Sequence, residues 1–291
     1  MGRQSALEFA ATGEGAAFHG AYDRVLGKWP GEVDTIDLAS EYGTTRVNMC
    51  GPVGAPSVVL LPGAGATSTV WFANVAALAE RFRVHAVDRI GDAGRSIAGR
   101  PVRSVDDLMS WLGTVVAGAG LGTFGLVGHS YGGMVALAYA LRAPDRIRKL
   151  VLIDPNSCFA GMRAQYLARA APLLLCPTEK RQRDFIRWET NGQEVDADWL
   201  ELMSRGAAHF PKSKTVVPKR PGRAALDALD VDTTVVLAGR SKVHDSGTLG
   251  VTIATRFPRV DVITLDGATH HTVPMYPAAE FNAALVAALD R

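Results

Sequence analysis

Gly128-His129-Ser130-Tyr131-Gly132 fits the pattern G-x-S-x-G. That spacing suits a serine mounted on a sharp turn between a strand and a helix. Small residues on either side let neighbouring elements pass closely, and the strained serine backbone holds Oγ clear at the edge of the sheet. The N-terminus of the following helix favours negative charge developing there. The chemistry is nucleophilic attack by the hydroxyl. Glycine is common in this chain, at 30 of 291 residues, so a plain Gly-rich turn is the competing reading. Placement decides for the nucleophile: residues 123–127 predict a strand running in and 131–141 a helix running out.

The elements that must hold such a serine follow a regular order. Residues 33–39 and 44–50 read as two strands of a hairpin. Ser57-Val-Val-Leu-Leu61 is a continuous apolar run, as expected of a strand buried on both faces. A helix is predicted over 70–82 and a strand over 83–87, stopped at Asp88. Ser104-Val-Asp-Asp107 resembles a capping box and opens a helix to about residue 117. After a strand at 149–153 the rhythm breaks: 156–229 reads as helical or irregular. This segment holds 12 Lys/Arg against 8 Asp/Glu, which leaves the rest of the chain at −2. Strand and helix then alternate again at 234–238, 246–256, 260–265 and from 278. The expected class is α/β, a mostly parallel eight-stranded sheet flanked by helices. Its core is 1–155 and 230–291, with an insertion at 156–229 after the sixth strand.

Composition narrows the function classes. With 31 Lys/Arg against 29 Asp/Glu the formal charge is +2, too weak a field to draw in nucleic acid or an anionic membrane surface. Three scattered cysteines without a CxxC pair make a disulfide framework unexpected and fit a reducing compartment. No run of about 18 apolar residues occurs and the N-terminus has no signal-like apolar core, so a cytoplasmic protein is expected. HExxH and EF-hand spacings are lacking, and no metal is expected. Gly63-Ala-Gly65 after a strand, with Asp88 ending the next, outlines a dinucleotide fingerprint. Its third glycine position is Ser68, and two strands precede the unit. No cofactor is expected. Oligomeric state is not legible.

Leu60-Leu-Pro-Gly-Ala-Gly-Ala-Thr-Ser68 and Asp88-Arg-Ile-Gly-Asp-Ala-Gly-Arg-Ser96 flank the serine motif in the chain. With them the sequence resembles the α/β-hydrolase fold superfamily. The segments Ala21-Tyr-Asp-Arg-Val-Leu-Gly-Lys-Trp29 and Val70-Trp-Phe72 look most like its bacterial carboxylesterase-type serine hydrolases. The resemblance spans all but 156–229, which matches the family's variable helical cap in position only. It makes the first loop an oxyanion loop, with Pro62 where histidine is common and the backbone amides of Ala64 and Tyr131 as donors. The second resembles D-x-x-G-x-G-x-S with one extra residue.

A serine needs a base, and the family places its histidine after the last strand, where this chain has Gly267-Ala-Thr-His-His271. In that register His270 is the base and His271 the alternative; Pro277 and Phe281 continue the pattern. His19, His85, His129, His209 and His244 are expected to be structural or surface groups. The family's usual acid position, three residues after Gly239, holds Lys242, which cannot orient an imidazole. Asp245 on the same loop is taken as the acid, and Asp154, closing the sixth strand in Val-Leu-Ile-Asp-Pro, is its rival.

The resemblance implies hydrolysis of a small-molecule carboxylic ester or related acyl compound through an acyl-enzyme. Lys242 at the acid position keeps open a non-hydrolytic ligand-binding protein, and the fold also allows a lyase or a cofactor-free oxidative enzyme. Leu167, Leu173, Leu174 and Leu175 hint at an apolar substrate group. The basic run from Lys212 to Arg220 would attract an anion or be solvated surface.

Overall fold

The computed structural model describes residues 5–290. It opens with helices α1 (Ala6–Ala10) and α2 (Gly13–Leu26). Ser5 and Glu8 form a reciprocal capping box, and the Thr12 side chain accepts from Gly15 N. The sequence reading assigned no helix here, although Ser5-x-x-Glu8 carries the signal. Strands β1 (Asp34–Ser40), β2 (Gly43–Cys50), β3 (Ser57–Leu61), β4 (Arg83–Val87) and β5 (Ile97–Ala98) follow, with α3 (Val75–Ala79) between β3 and β4. Then come α4 (Val105–Gly118), β6 (Phe124–His129), α5 (Tyr131–Arg142) and β7 (Ile147–Ile153). Four helices stand between β7 and the next strand: α6 (Ala164–Leu175), α7 (Glu179–Glu189), α8 (Ala197–Ala208) and α9 (Arg223–Asp227). The chain ends with β8 (Thr233–Ala238), α10 (Ser246–Arg256), β9 (Val260–Leu265) and α11 (Ala278–Asp290).

The sheet runs β1-β2-β4-β3-β6-β7-β8-β9. The pairings β1–β2 and β2–β4 are antiparallel, and every pairing from β4 to β9 along the path is parallel. The ninth strand, absent from the sequence reading, is the two-residue β5, which pairs with β2 off this path. Both faces are covered, so side chains alternate between two apolar cores. In β7, Leu150 and Leu152 face the core built with α4, α5 and α10, while Val151 and Ile153 face the one built with α2, α3 and α11.

One predicted helix is broken. Residues 70–82 form a 3-10 helix, Ser68–Ala73, and then α3. Buried Asn74 stands at the break, where its side chain donates to Asn282 Oδ1 at 2.8 Å and Asn282 returns a bond to the Ala73 carbonyl at 2.8 Å. An amide pair with α11 thus takes over a carbonyl that a continuous helix would have satisfied. The order in the sheet puts β4 on one side of β3 and β6 on the other, so the chain reverses direction there. In open parallel sheets the crevice at such a point, beyond the strands' C-terminal ends, is where sites form. The 62–67 loop after β3, Asp88 after β4, Ser130 after β6, Asp154 after β7 and His270 after β9 all lie at that end.

Candidate active site

Ser130 sits between β6 and α5 with φ 55° and ψ −116°, a left-handed conformation that a serine enters at a cost of roughly 1–3 kcal/mol. Its neighbours allow it. A methyl group on Gly128 would stand 2.3 Å from the Gly132 carbonyl, and one on Gly132 would stand 2.3 Å from the Leu61 carbonyl. The chain can therefore cross over itself only where both flanking positions lack side chains. Ser130 N donates to the Ile153 carbonyl at 2.9 Å and Asn156 N to the Ser130 carbonyl at 3.3 Å, so the strain is held in place by β7 and its following loop.

His270 bridges the serine and an acid. Its Nε2 is 2.8 Å from Ser130 Oγ, and its Nδ1 is 2.6 Å from Asp154 Oδ2. Asp154, itself at φ 36°, is fully buried. It also accepts from Ala238 N at 3.2 Å and Ser241 Oγ at 2.7 Å. Burial would raise its pKa, but the bond from His270 and the nearby imidazoles of His270 and His244 outweigh burial and hold it below the usual carboxylate range.

This corrects the sequence expectation for the acid: the carboxylate beside His270 is Asp154, the rival, and not Asp245. Asp245 is exposed and is the N-cap of α10, with Oδ1 accepting from Thr248 N at 3.0 Å. Lys242 turns away to donate to the Trp188 carbonyl, with Nζ 4.6 Å from the centre of that indole. The β8–α10 loop contributes Ser241 to the site instead of an acid.

The loop after β3 lies against the serine: a methyl group on Gly63 would be 3.3 Å from Ser130 Cβ. Two aspartates of the 88–96 loop fix its shape. Asp88 accepts from Ser68 N at 2.7 Å, Arg95 N at 2.8 Å and Tyr22 Oη at 2.9 Å, and it is wholly buried. Asp92 accepts from Gly65 N at 2.7 Å. Asp88, the would-be ribose ligand of a dinucleotide site, is consumed by this network. Tyr131 is the first residue of α5, where helical geometry leaves the amide unpaired. Among the described residues neither its amide nor that of Ala64 donates to a protein acceptor.

Two further residues support the histidine. His129 Nε2 lies 2.8 Å from the His270 carbonyl; burial and the proximity of His270 push its pKa down to about 3, so it is neutral and donates. Glu189, the last residue of α7, is fully buried. It accepts from His270 N at 3.1 Å, His271 N at 3.1 Å, Thr269 Oγ1 at 3.0 Å and His271 Nδ1 at 3.2 Å. Against the cost of burial, the bond and charge of His271 and the charge of His270 lower its pKa to about 2. Sequence reasoning missed Glu189. Its one signal was helical spacing: it falls three and four residues after Ile186 and Phe185, on the face of α7 that is buried. His271 therefore faces Glu189 and not Ser130.

A cavity of about 350 Å³ opens beside this cluster. Ala64, Asn156 and His271 line it, with Tyr166, Leu173 and Phe185 among its apolar walls. Leu167 and Leu174 also line it at an exposed rim, and Leu175, outside it, is exposed as well. The Tyr166 ring meets His270 edge-on at 6.0 Å.

A profile of the alpha/beta hydrolase family matches residues 58–285. Carboxylesterase YbfK of Bacillus subtilis is 34% identical over 187 residues, which cover 64% of this chain and 62% of the relative. An uncharacterized B. subtilis carboxylesterase, nap, is 29% identical over 181 residues, covering 62% of this chain and 59% of its own. These alignments thus span about three fifths of each relative. The crystal structure of YbfK superposes with a TM-score of 0.86 at 25% identity, covering 96% of this chain and 99% of that one. That of the B. subtilis naproxen esterase superposes at 0.87 and 23% identity, covering 95% and 98%. The profile runs from β3 into α11, through the loops that bring Ser130, Asp154 and His270 together, and the chain belongs to the alpha/beta hydrolase family.

Proposed function

We propose that this protein is a serine hydrolase that cleaves carboxylic esters through an acyl-enzyme, with Ser130, His270 and Asp154 as its triad. The observation that carries this reading is the His270 ring, hydrogen-bonded to Ser130 Oγ on one nitrogen and to a buried carboxylate on the other. The carboxylesterases among its relatives support the same reading.

Ser130 Oγ attacks the ester carbonyl while His270 Nε2 takes its proton. Asp154 stays ionised, holds the proton on Nδ1 and stabilises the imidazolium. The amides of Ala64 and Tyr131 receive the tetrahedral oxyanion. His270 then protonates the departing alcohol, and a water activated by the same nitrogen frees the acid. The helices of 156–229 act as a cap whose inner faces wall the substrate cavity. The Asp154 carboxylate beside His270 supports hydrolysis over the binding-protein reading that Lys242 at the acid position kept open.

The test needs no knowledge of the substrate. Intact mass after treatment with a fluorophosphonate should show one adduct on the wild type and none on Ser130→Ala, with ester turnover lost in the same variant. A folded wild type that takes no adduct and turns over no ester in a broad panel overturns the proposal.

A further inference from the structure

The basic run beginning at Lys212 has no part in the chemistry above. Lys214, Lys219 and Arg220 are exposed, as solvated surface groups are, but Lys212 turns inward. Its segment is fastened to the 88–96 loop by Ser213 N, which donates to the Gly91 carbonyl at 2.8 Å. The ammonium reaches the cavity wall beside the 62–67 loop, where a methyl group on Gly65 would lie 3.5 Å from Nζ.

This charge is unmatched. Asp92 is the acid that faces it, but the oxygens of Asp92 are already committed. They accept from Gly65 N at 2.7 Å, Ala93 N at 2.9 Å and the Arg89 guanidinium at 2.5 Å. Among the described residues Lys212 has no carboxylate within ion-pair distance and no hydrogen-bond acceptor for its ammonium. Arg89 and Asp92 offset each other, leaving one surplus positive charge on the wall of a largely apolar cavity. Burial pulls the lysine's pKa down, against the attraction of Asp92, as expected of an ammonium short of both water and partners. A group held that way is costly unless something arrives to pair with it.

We propose that Lys212 is a specificity-determining anchor for a carboxylate on the substrate: the preferred ester carries an apolar chain for the α6–α7 wall and an acid group for this ammonium. The inference rests on the ester-hydrolase reading of Ser130 and adds the class of ester. A charge-assisted bond in a partly desolvated site discriminates by about 10-fold or more.

Two matched pairs of esters test it. On the acyl side, the monomethyl ester of a dicarboxylic acid is compared with the methyl ester of an equally long fatty acid. On the alcohol side, the acetate of an ω-hydroxy acid is compared with that of an equally long alkanol. In one pair the wild type should favour the charged member in kcat/KM by about 10-fold or more. Lys212→Met should bring that ratio towards one, mostly through KM, and Lys212→Arg should keep most of it. Fluorophosphonate labelling of Ser130 in each variant reports an intact fold and site. A wild-type ratio at or below one in both pairs overturns the anchor. So does a ratio that Lys212→Met leaves unmoved, or an equal loss on both members, which would mean general help to the oxyanion. Turnover of neutral esters with flat ratios defeats this inference alone, whereas a wild type inert on all four esters and unlabelled defeats the hydrolase reading beneath it.

Discussion

Ser130 and Asp154 share an unusual property: both are non-glycine residues at positive φ, one at each end of the His270 bridge. Strain of this kind persists only where its surroundings over-determine it, and here β6, β7 and β8 do so through backbone bonds. The acid assignment gives the sharpest prediction at this scale. Asp154→Asn should lower kcat by roughly 10³–10⁴-fold, because an amide at that place favours the wrong imidazole tautomer. Asp245→Asn should leave steady-state rates close to wild type, since asparagine caps a helix about as well as aspartate. The reverse pattern would return the acid to the β8–α10 loop. The pairing of Ser130 with His270 was legible from motif and chain order, whereas the pairing of His271 with Glu189 was not. The choice of acid was not, because sequence spacing does not say which of two strand-end loops turns its side chain toward the ring.

At the scale of elements, α7 joins the histidine loop through Glu189. Glu189→Gln replaces an acceptor-only carboxylate with a group that also presents N–H to donors it must face. Breaking a buried, hydrogen-bonded charge of this kind typically costs about 3–5 kcal/mol. For a chain of this length that lowers Tm by roughly 5–8 °C, measurable by thermal denaturation, with kcat falling as the loop drifts. The linkage sign follows from a carboxyl whose native pKa, about 2, lies below its ordinary 4.5. Its stabilising contribution is complete above about pH 4.5 and is lost as pH falls towards 2. Denaturation midpoints across that window should slope less steeply in Glu189→Gln than in the wild type; equal slopes would refute the assignment. Elements with strong local patterns were legible, including α10 and β9, whose bounds match the reading residue for residue. The break at Asn74 was not, because its cause is a partner on α11 more than two hundred residues away.

Across the whole molecule, the helices between β7 and β8 are fastened to the N-terminal segment. α8 lies on α2, where Phe9, Phe18 and Phe210 pack with ring centres 5.2–6.0 Å apart. Arg24 and Lys28 of the N-terminal segment pair with Asp196, Asp198 and Glu201 at the rim. The apolar cluster should dominate. Phe18→Ala removes a fully buried ring and should cost about 3–5 kcal/mol, read by urea denaturation. Arg24→Ala removes only exposed pairs, which salt screens, and should shift the midpoint little. A larger loss for Arg24→Ala than for Phe18→Ala would show that charge fastens this contact. The alternation of strands and helices along the chain from β1 to α11, β5 apart, was readable from hydrophobic rhythm. How residues 5–26 reach across to α8 was not, since their helices carry long-range contacts that no local period encodes.

Glu189 also makes the histidine loop and α7 depend on one another. Were α7 to lift away, the carboxylate would leave with it, and the amides of His270 and His271 would lose their shared acceptor. If Ser130 and His270 act as proposed, α7 serves both as a wall of the cavity and as a splint for the loop that carries the base, and neither task can be altered alone.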